Sequence, residues 1–77
     1  MEEDKMNVFS ERLKSLRLKF KLSQTALAQK IGKRQKTISR CETGKTVPLS
    51  KDLIILVKVF NCRVNYLLGL DDQINVM

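Results

Sequence analysis

A chain of 77 residues with a net charge of +7, two cysteines and no histidine has room for a single small core, at a size where stability becomes thin. Without histidine and without paired carboxylates, neither acid–base catalysis nor a metal centre is expected, and no cofactor. No apolar run approaches the roughly 20 residues of a membrane span, and acidic residues 1–7 lack the pattern of a signal peptide, so a cytoplasmic protein is expected.

Behind an N-terminal tail at 1–7, Phe9, Leu13, Leu16 and Phe20 recur at helical spacing and predict one apolar stripe on a helix of roughly three turns. Its other faces are basic. Ser23 is a good N-cap, Leu27 and Ile31 share the face that follows it, and Gly32 supplies the left-handed residue that closes a helix. A second apolar pair, Ile38 and Cys41, lies within 34–43, and Gly44 and Pro48 repeat the stop signal. Residues 23–48 therefore read as two short helices joined by a sharp turn, the pattern of a DNA-reading helix-turn-helix. Ala28 sits where the two helices should cross, and its methyl group permits close approach. Helices this short need packing partners.

The partners lie on both sides. Ser50 is expected to cap a helix at 51–60 that turns Leu53, Leu56, Val57 and Phe60 inward and ends at Asn61, and a last helix at 64–68 carries Tyr66, Leu67 and Leu68 before Gly69. No segment alternates as a strand does. Cys41 and Cys62 fall at apolar positions and are expected to be buried free thiols.

Charge is unevenly spread. Residues 12–51 hold twelve lysines and arginines against one acid, Glu42, whereas the remainder holds three bases and seven acids. A basic centre between acidic ends suits one positive face turned toward a polyanion.

These segments resemble the helix-turn-helix regulators typified by the Cro and repressor proteins of lambdoid phages, the XRE family. The likeness rests on LKSLR at 13–17, LSQTALAQKIG at 22–32, TISRCETGK at 37–45, Pro48 and NYLLG at 65–69. It implies an all-α, five-helix, lambda-repressor-like DNA-binding domain over 8–69, with the motif at 24–43 and tails at 1–7 and 70–77. It implies a sequence-specific regulator, a repressor, acting on double-stranded DNA as a homodimer, with no membrane partner and no small-molecule ligand.

Carried over by position, the resemblance assigns base reading to Gln35, Lys36, Ser39 and Arg40 on the outward face of helix 34–43. Arg40 and Lys36 can donate to guanine O6 and N7, and Gln35 can bond adenine in both senses. Phosphate contacts fall to Gln24, Lys33, Arg34, Thr37, Lys45 and Thr46. Arg17 and Glu42 match a structural ion pair that would anchor the reading helix to the first helix. Lys33 and Arg34 depart from the family pattern, in which a small apolar residue precedes a Ser or Thr cap. They lose the cap and put cations at a positive helix end, so phosphate or base contact rather than stability is their expected role.

A dimer surface is expected around Val64 and Tyr66. Ile54, Ile55 and Val59 are alternatives, as is the apolar end formed by Ile74, Val76 and Met77. Two rival functions are a module of the same fold that binds protein instead of DNA, and a basic amphipathic membrane-surface helix at 10–21.

Overall fold

The computed structural model describes residues 5–70. The expected end at Ile74, Val76 and Met77, with most of the 70–77 tail, lies outside these residues. Five helices follow one another: α1 (Lys5–Lys19), α2 (Gln24–Ile31), α3 (Gln35–Glu42), α4 (Ser50–Phe60) and α5 (Val64–Leu67). Helix α3 packs on α1 and α2, α5 closes against α1 and α4, and α4 also meets α2. Phe9, Leu13 and Leu16 of α1, Leu27, Ala28 and Ile31 of α2, Ile38 and Cys41 of α3, Leu56 and Phe60 of α4, Cys62 and Leu67 form one core. Burying two or three side chains from each of α1 to α4, and Leu67 from α5, gives the short helices the stability that propensity alone withholds. Both cysteines are buried free thiols, and burial raises the pKa of each above its ordinary value.

Helix ends follow local chemistry. Ser23 accepts from the Ala26 backbone N–H at 3.0 Å, and Gly32 closes α2 in the left-handed region at φ 72°. The Gly32 N–H then bonds the Gln29 carbonyl and the Lys33 N–H bonds that of Ala28, the paired closure of a Schellman motif. Gly69 combines positive φ with close approach: a Cβ there would stand 2.7 Å from Val8 Cγ1, so the chain after α5 can lie directly on α1.

Three expectations need correction. Helix α1 begins at Lys5, inside the expected tail, and ends at Lys19 rather than carrying Phe20 on its stripe. Lys21 turns left-handed at φ 59° and the Leu22 N–H returns to the Arg17 carbonyl at 3.0 Å. Phe20 is thereby rotated out, 44% exposed, and meets Phe60 edge-on with ring centroids 5.2 Å apart. Ser50 does not cap α4, because it already lies in the helix; Leu49 occupies the cap position with no side-chain bond. Asn61 does end α4, in the left-handed region at φ 52°, and α5 stops at Leu67, one residue short of the expected end.

The amphipathic segment at 10–21 spends most of its stripe on the core, with Leu13 and Leu16 buried. Leu13 and Leu16 are therefore not available to a membrane surface, and Leu18 and Phe20 are the large apolar side chains that this segment leaves exposed. Among the described residues no helix is long and apolar enough to cross a membrane, and no group of acidic, cysteine or histidine side chains could hold a metal ion.

Candidate nucleic-acid interface

Helix α3 is divided cleanly along its length. Ile38 and Cys41, one turn apart, are 1% and 3% exposed, so the opposite face must point to solvent. That face carries Gln35, Lys36 and Arg40 exposed, with Thr37 and Ser39 half-buried at its edges. Arg34 stands exposed just ahead of it, and its extended backbone offers no side-chain cap to the helix. The Lys45 N–H is consumed by the Arg40 carbonyl at 3.0 Å, which leaves Lys45 its exposed side chain for any anion. Thr46 is half-buried beside it.

Under this face lies a polar chain that links four side chains. Arg17 of α1 grips Glu42 of α3 with both arms of its fork, Nε to Oε2 at 2.5 Å and Nη2 to Oε1 at 3.0 Å. Its remaining arm donates to the Leu22 carbonyl at 2.8 Å. Their side chains are 10% and 3% exposed. A carboxylate so buried must be paired, and the fork geometry of arginine supplies both bonds at once. Gln24 Nε2 donates to the same Glu42 Oε1 at 3.0 Å, and Gln35 Nε2 donates to Gln24 Oε1 at 2.6 Å. The first residues of α2 and α3 are thus tied to each other and, through Glu42, to α1.

This chain was only half visible in the sequence. The sequence points to the Arg17–Glu42 pair, but it gives the two glutamines separate roles, Gln24 at a phosphate and Gln35 at a base. The signal was their shared place at the first turn of successive helices, which the tight turn brings side by side.

Lys33 also has a partner that no sequence pattern marks. Its Nζ lies 3.2 Å from Asp52 Oδ2, with the Asp52 side chain 10% exposed. A role confined to phosphate therefore does not describe it: Lys33 neutralises a buried acid at the start of α4, where a carboxylate is favoured by the helix dipole. Among the described residues Glu42 and Asp52 are each paired with a base in this way, while Arg34, Lys36, Arg40 and Lys45 are exposed.

Around α5, Val64 is 40% exposed. Tyr66 is half-buried and packs against the core, its ring covered by the Arg12 guanidinium at 4.2 Å from the centroid. Arg12 Nη1 donates to the Tyr66 carbonyl at 2.5 Å, so much of Tyr66 serves to join α5 to α1. Ile54 and Ile55 are exposed, 51% and 36%, whereas Val59 packs against the core.

Comparison with known proteins places this arrangement. The helix-turn-helix family model matches residues 13–67. An uncharacterised helix-turn-helix-type transcriptional regulator of Archaeoglobus fulgidus is 36% identical over 62 residues, covering 80% of this chain and 89% of that protein. Repressor protein C2 of Salmonella phage P22 is 36% identical over 70 residues, 90% of this chain but only 32% of its own length. Among solved structures, the P22 c2 repressor in complex with a synthetic operator superposes with a TM-score of 0.79 at 34% identity, covering 83% of this chain and 97% of that one. The all-helical fold is that of the P22 repressor DNA-binding domain, and the relatives are regulators of transcription rather than enzymes. The chain belongs to the helix-turn-helix family of transcriptional regulators, of the Cro and repressor type.

Proposed function

We propose that this protein binds double-stranded DNA in a sequence-specific manner, as a homodimeric repressor that reads the major groove with α3 on a pseudo-palindromic operator. The observation that carries the reading is the division of α3: Ile38 and Cys41 are locked in the core while Gln35, Lys36 and Arg40 project outward from a surface whose acids are already paired. Gln35, Lys36, Ser39 and Arg40 supply base contacts, and Arg34, Thr37, Lys45, Thr46 and the remaining amide hydrogen of Gln24 face phosphate. Lys33 contributes positive potential while holding Asp52.

A single helix of this length contacts only a few base pairs, so specificity calls for two subunits on half-sites about 34 Å apart. The domain measures 32 × 31 × 23 Å, so two copies on successive major grooves stand edge to edge. Val64, exposed at the edge of α5, is the contact favoured here. The P22 repressor's complex with a synthetic operator is consistent with this mode.

Selection of bound duplexes from a random pool, with binding repeated at two salt concentrations, tests the function. An enriched palindrome together with a steep fall in affinity with salt is expected. A steep salt dependence without an enriched sequence means non-specific polyanion binding and refutes the reading; no binding at all favours a protein-binding module of the same fold.

A further inference from the structure

We propose that Asp52 is a positioning residue that limits the protein's affinity for DNA: it holds Lys33 against α4, so that the duplex meets one neutralising cation fewer than the chain displays beside its reading helix. The inference rests on the duplex-reading function above and adds to it a buried acid that acts only through another residue.

Backbone chemistry fixes the place of this lysine. Gly32 turns the chain left-handed after α2, and the Lys33 N–H is bound to the Ala28 carbonyl at 2.8 Å, so the side chain starts from a rigid root immediately before Arg34 and α3. From there its Nζ lies 3.2 Å from Asp52 Oδ2, in the first turn of α4, where the helix dipole favours a charged carboxylate. Burial first, and the Asp52 charge after it, raise the pKa of the Cys41 thiol, which sets this acid close to α3 as well. The two partners are unequal: the lysine side chain is 32% exposed and that of the aspartate 10%. Water can therefore solvate a freed ammonium but not a freed carboxylate. An ammonium on a flexible stem could be drawn to a phosphate, but the transfer would strand Asp52 in a site closed to water. A phosphate contact at the duplex surface is hydrated and screened by salt, whereas a buried carboxylate without its cation is strongly unfavourable, so the pair survives binding. Its ammonium end lends the surface positive potential, yet the two charges sum to zero and displace no counterion from a phosphate.

The test reads the slope of log affinity against log salt for the whole chain, on the operator enriched by selection and on an unrelated duplex. Each phosphate neutralised contributes about 0.9 to that slope. Asp52→Asn should release Lys33, steepening the slope by about 0.9 and raising affinity about five- to tenfold at about 0.1 M salt. The gain should be the same on both duplexes, because a phosphate contact carries no sequence information. Replacing the pair together, Lys33→Met with Asp52→Leu, removes no net charge and should leave the slope within about 0.3 of the parent value. A merely structural acid would change the melting temperature and leave both slopes alone. An unchanged slope in folded Asp52→Asn overturns the proposal, as does a gain confined to the operator, which would place Asp52 in base reading. A slope shallower by about 0.9 in the double variant overturns it too, since Lys33 would then already neutralise a phosphate in the unaltered protein. If Asp52→Asn fails to fold, the double variant decides the matter, because apolar replacement of both partners leaves no orphaned charge. An unaltered protein that binds neither duplex, or binds both with equal affinity, refutes the duplex reading itself; variants that depart from these slopes while the operator is still preferred refute only the role of Asp52.

Discussion

Replacing Glu42 by Gln removes one charge and almost no volume, and the structure sets the size of the effect. Glu42 accepts both arms of Arg17 and the amide of Gln24, and the two charged side chains are 10% and 3% exposed. Breaking a buried pair by removing one partner costs about 3–5 kcal/mol, because the other charge is left uncompensated. Two features reduce that figure here: Arg17 keeps its bond to the Leu22 carbonyl, and the new amide retains one acceptor. An expected loss of about 2 kcal/mol corresponds to a fall in melting temperature of roughly 8–16 °C for a domain of this size. Urea denaturation followed by circular dichroism gives the loss directly, with an unchanged m-value showing that the unfolded reference has not moved. Exposed Glu11, changed to Gln, is the control and should shift stability by less than about 0.5 kcal/mol. The Glu42 loss should persist at high salt, since a buried pair is poorly screened. A loss no larger than that of Glu11, or one that vanishes in salt, would refute the reasoning and make the pair a surface contact worth about 0–1 kcal/mol.

The other predictions probe separate parts of the fold. Arg34→Ser restores a capping oxygen to α3 and removes a cation from its positive end, so stability should rise by about 1 kcal/mol while DNA affinity falls; paired thermal melts and binding titrations check both, and unchanged or stronger binding contradicts a contact role for Arg34. Gly69→Ala meets a positive φ of 83° and the Val8 side chain at 2.7 Å, and should cost about 1–3 kcal/mol in denaturant melts; a neutral result would mean that the chain after α5 does not lie on α1. Burial raises the Cys41 and Cys62 pKa values above the ordinary 9.0, so the folded state holds these protons more tightly than the unfolded chain does. The resulting stability is complete below the unfolded value and is lost as pH rises through the folded value. Denaturation of Cys62→Ala across that alkaline range should therefore show a shallower decline than the parent protein, and parallel curves would count against a buried thiol.

Legibility in the sequence followed the range of the interaction. The apolar pairs Leu27 with Ile31 and Ile38 with Cys41 fixed two faces by spacing alone, and Ser23 and Gly32 announced their turn through local chemistry. Asn61 ended α4 for the same reason. Phe20 was misplaced because spacing cannot show where the backbone leaves the helix; Lys21, a residue with no special liking for positive φ, makes the turn. Ser50 was misplaced because a good capping residue is also tolerated one position later. Arg17 with Glu42 was legible through the family likeness and through Glu42 being the lone acid in a basic stretch. The pairing of Lys33 with Asp52, 19 positions apart in the chain, had no such marker. The bond between Gln24 and Gln35 was hidden for a different reason, since each glutamine alone reads as a surface residue.

The departure from the family pattern at Lys33 and Arg34 therefore resolves into two unlike residues. Two adjacent cations before a helix each oppose the positive end of its dipole, which by itself makes both a cost to α3. Lys33 instead finds Asp52, a carboxylate in the first turn of α4 that is buried and needs a cation. Its charge thus serves the packing of α4 against the turn, and removing it would orphan an acid. Arg34 is exposed and gives α3 no side-chain cap. The local cost of beginning the reading helix without a cap accordingly falls on Arg34, and among these two positions it is there that stability and binding should pull in opposite directions.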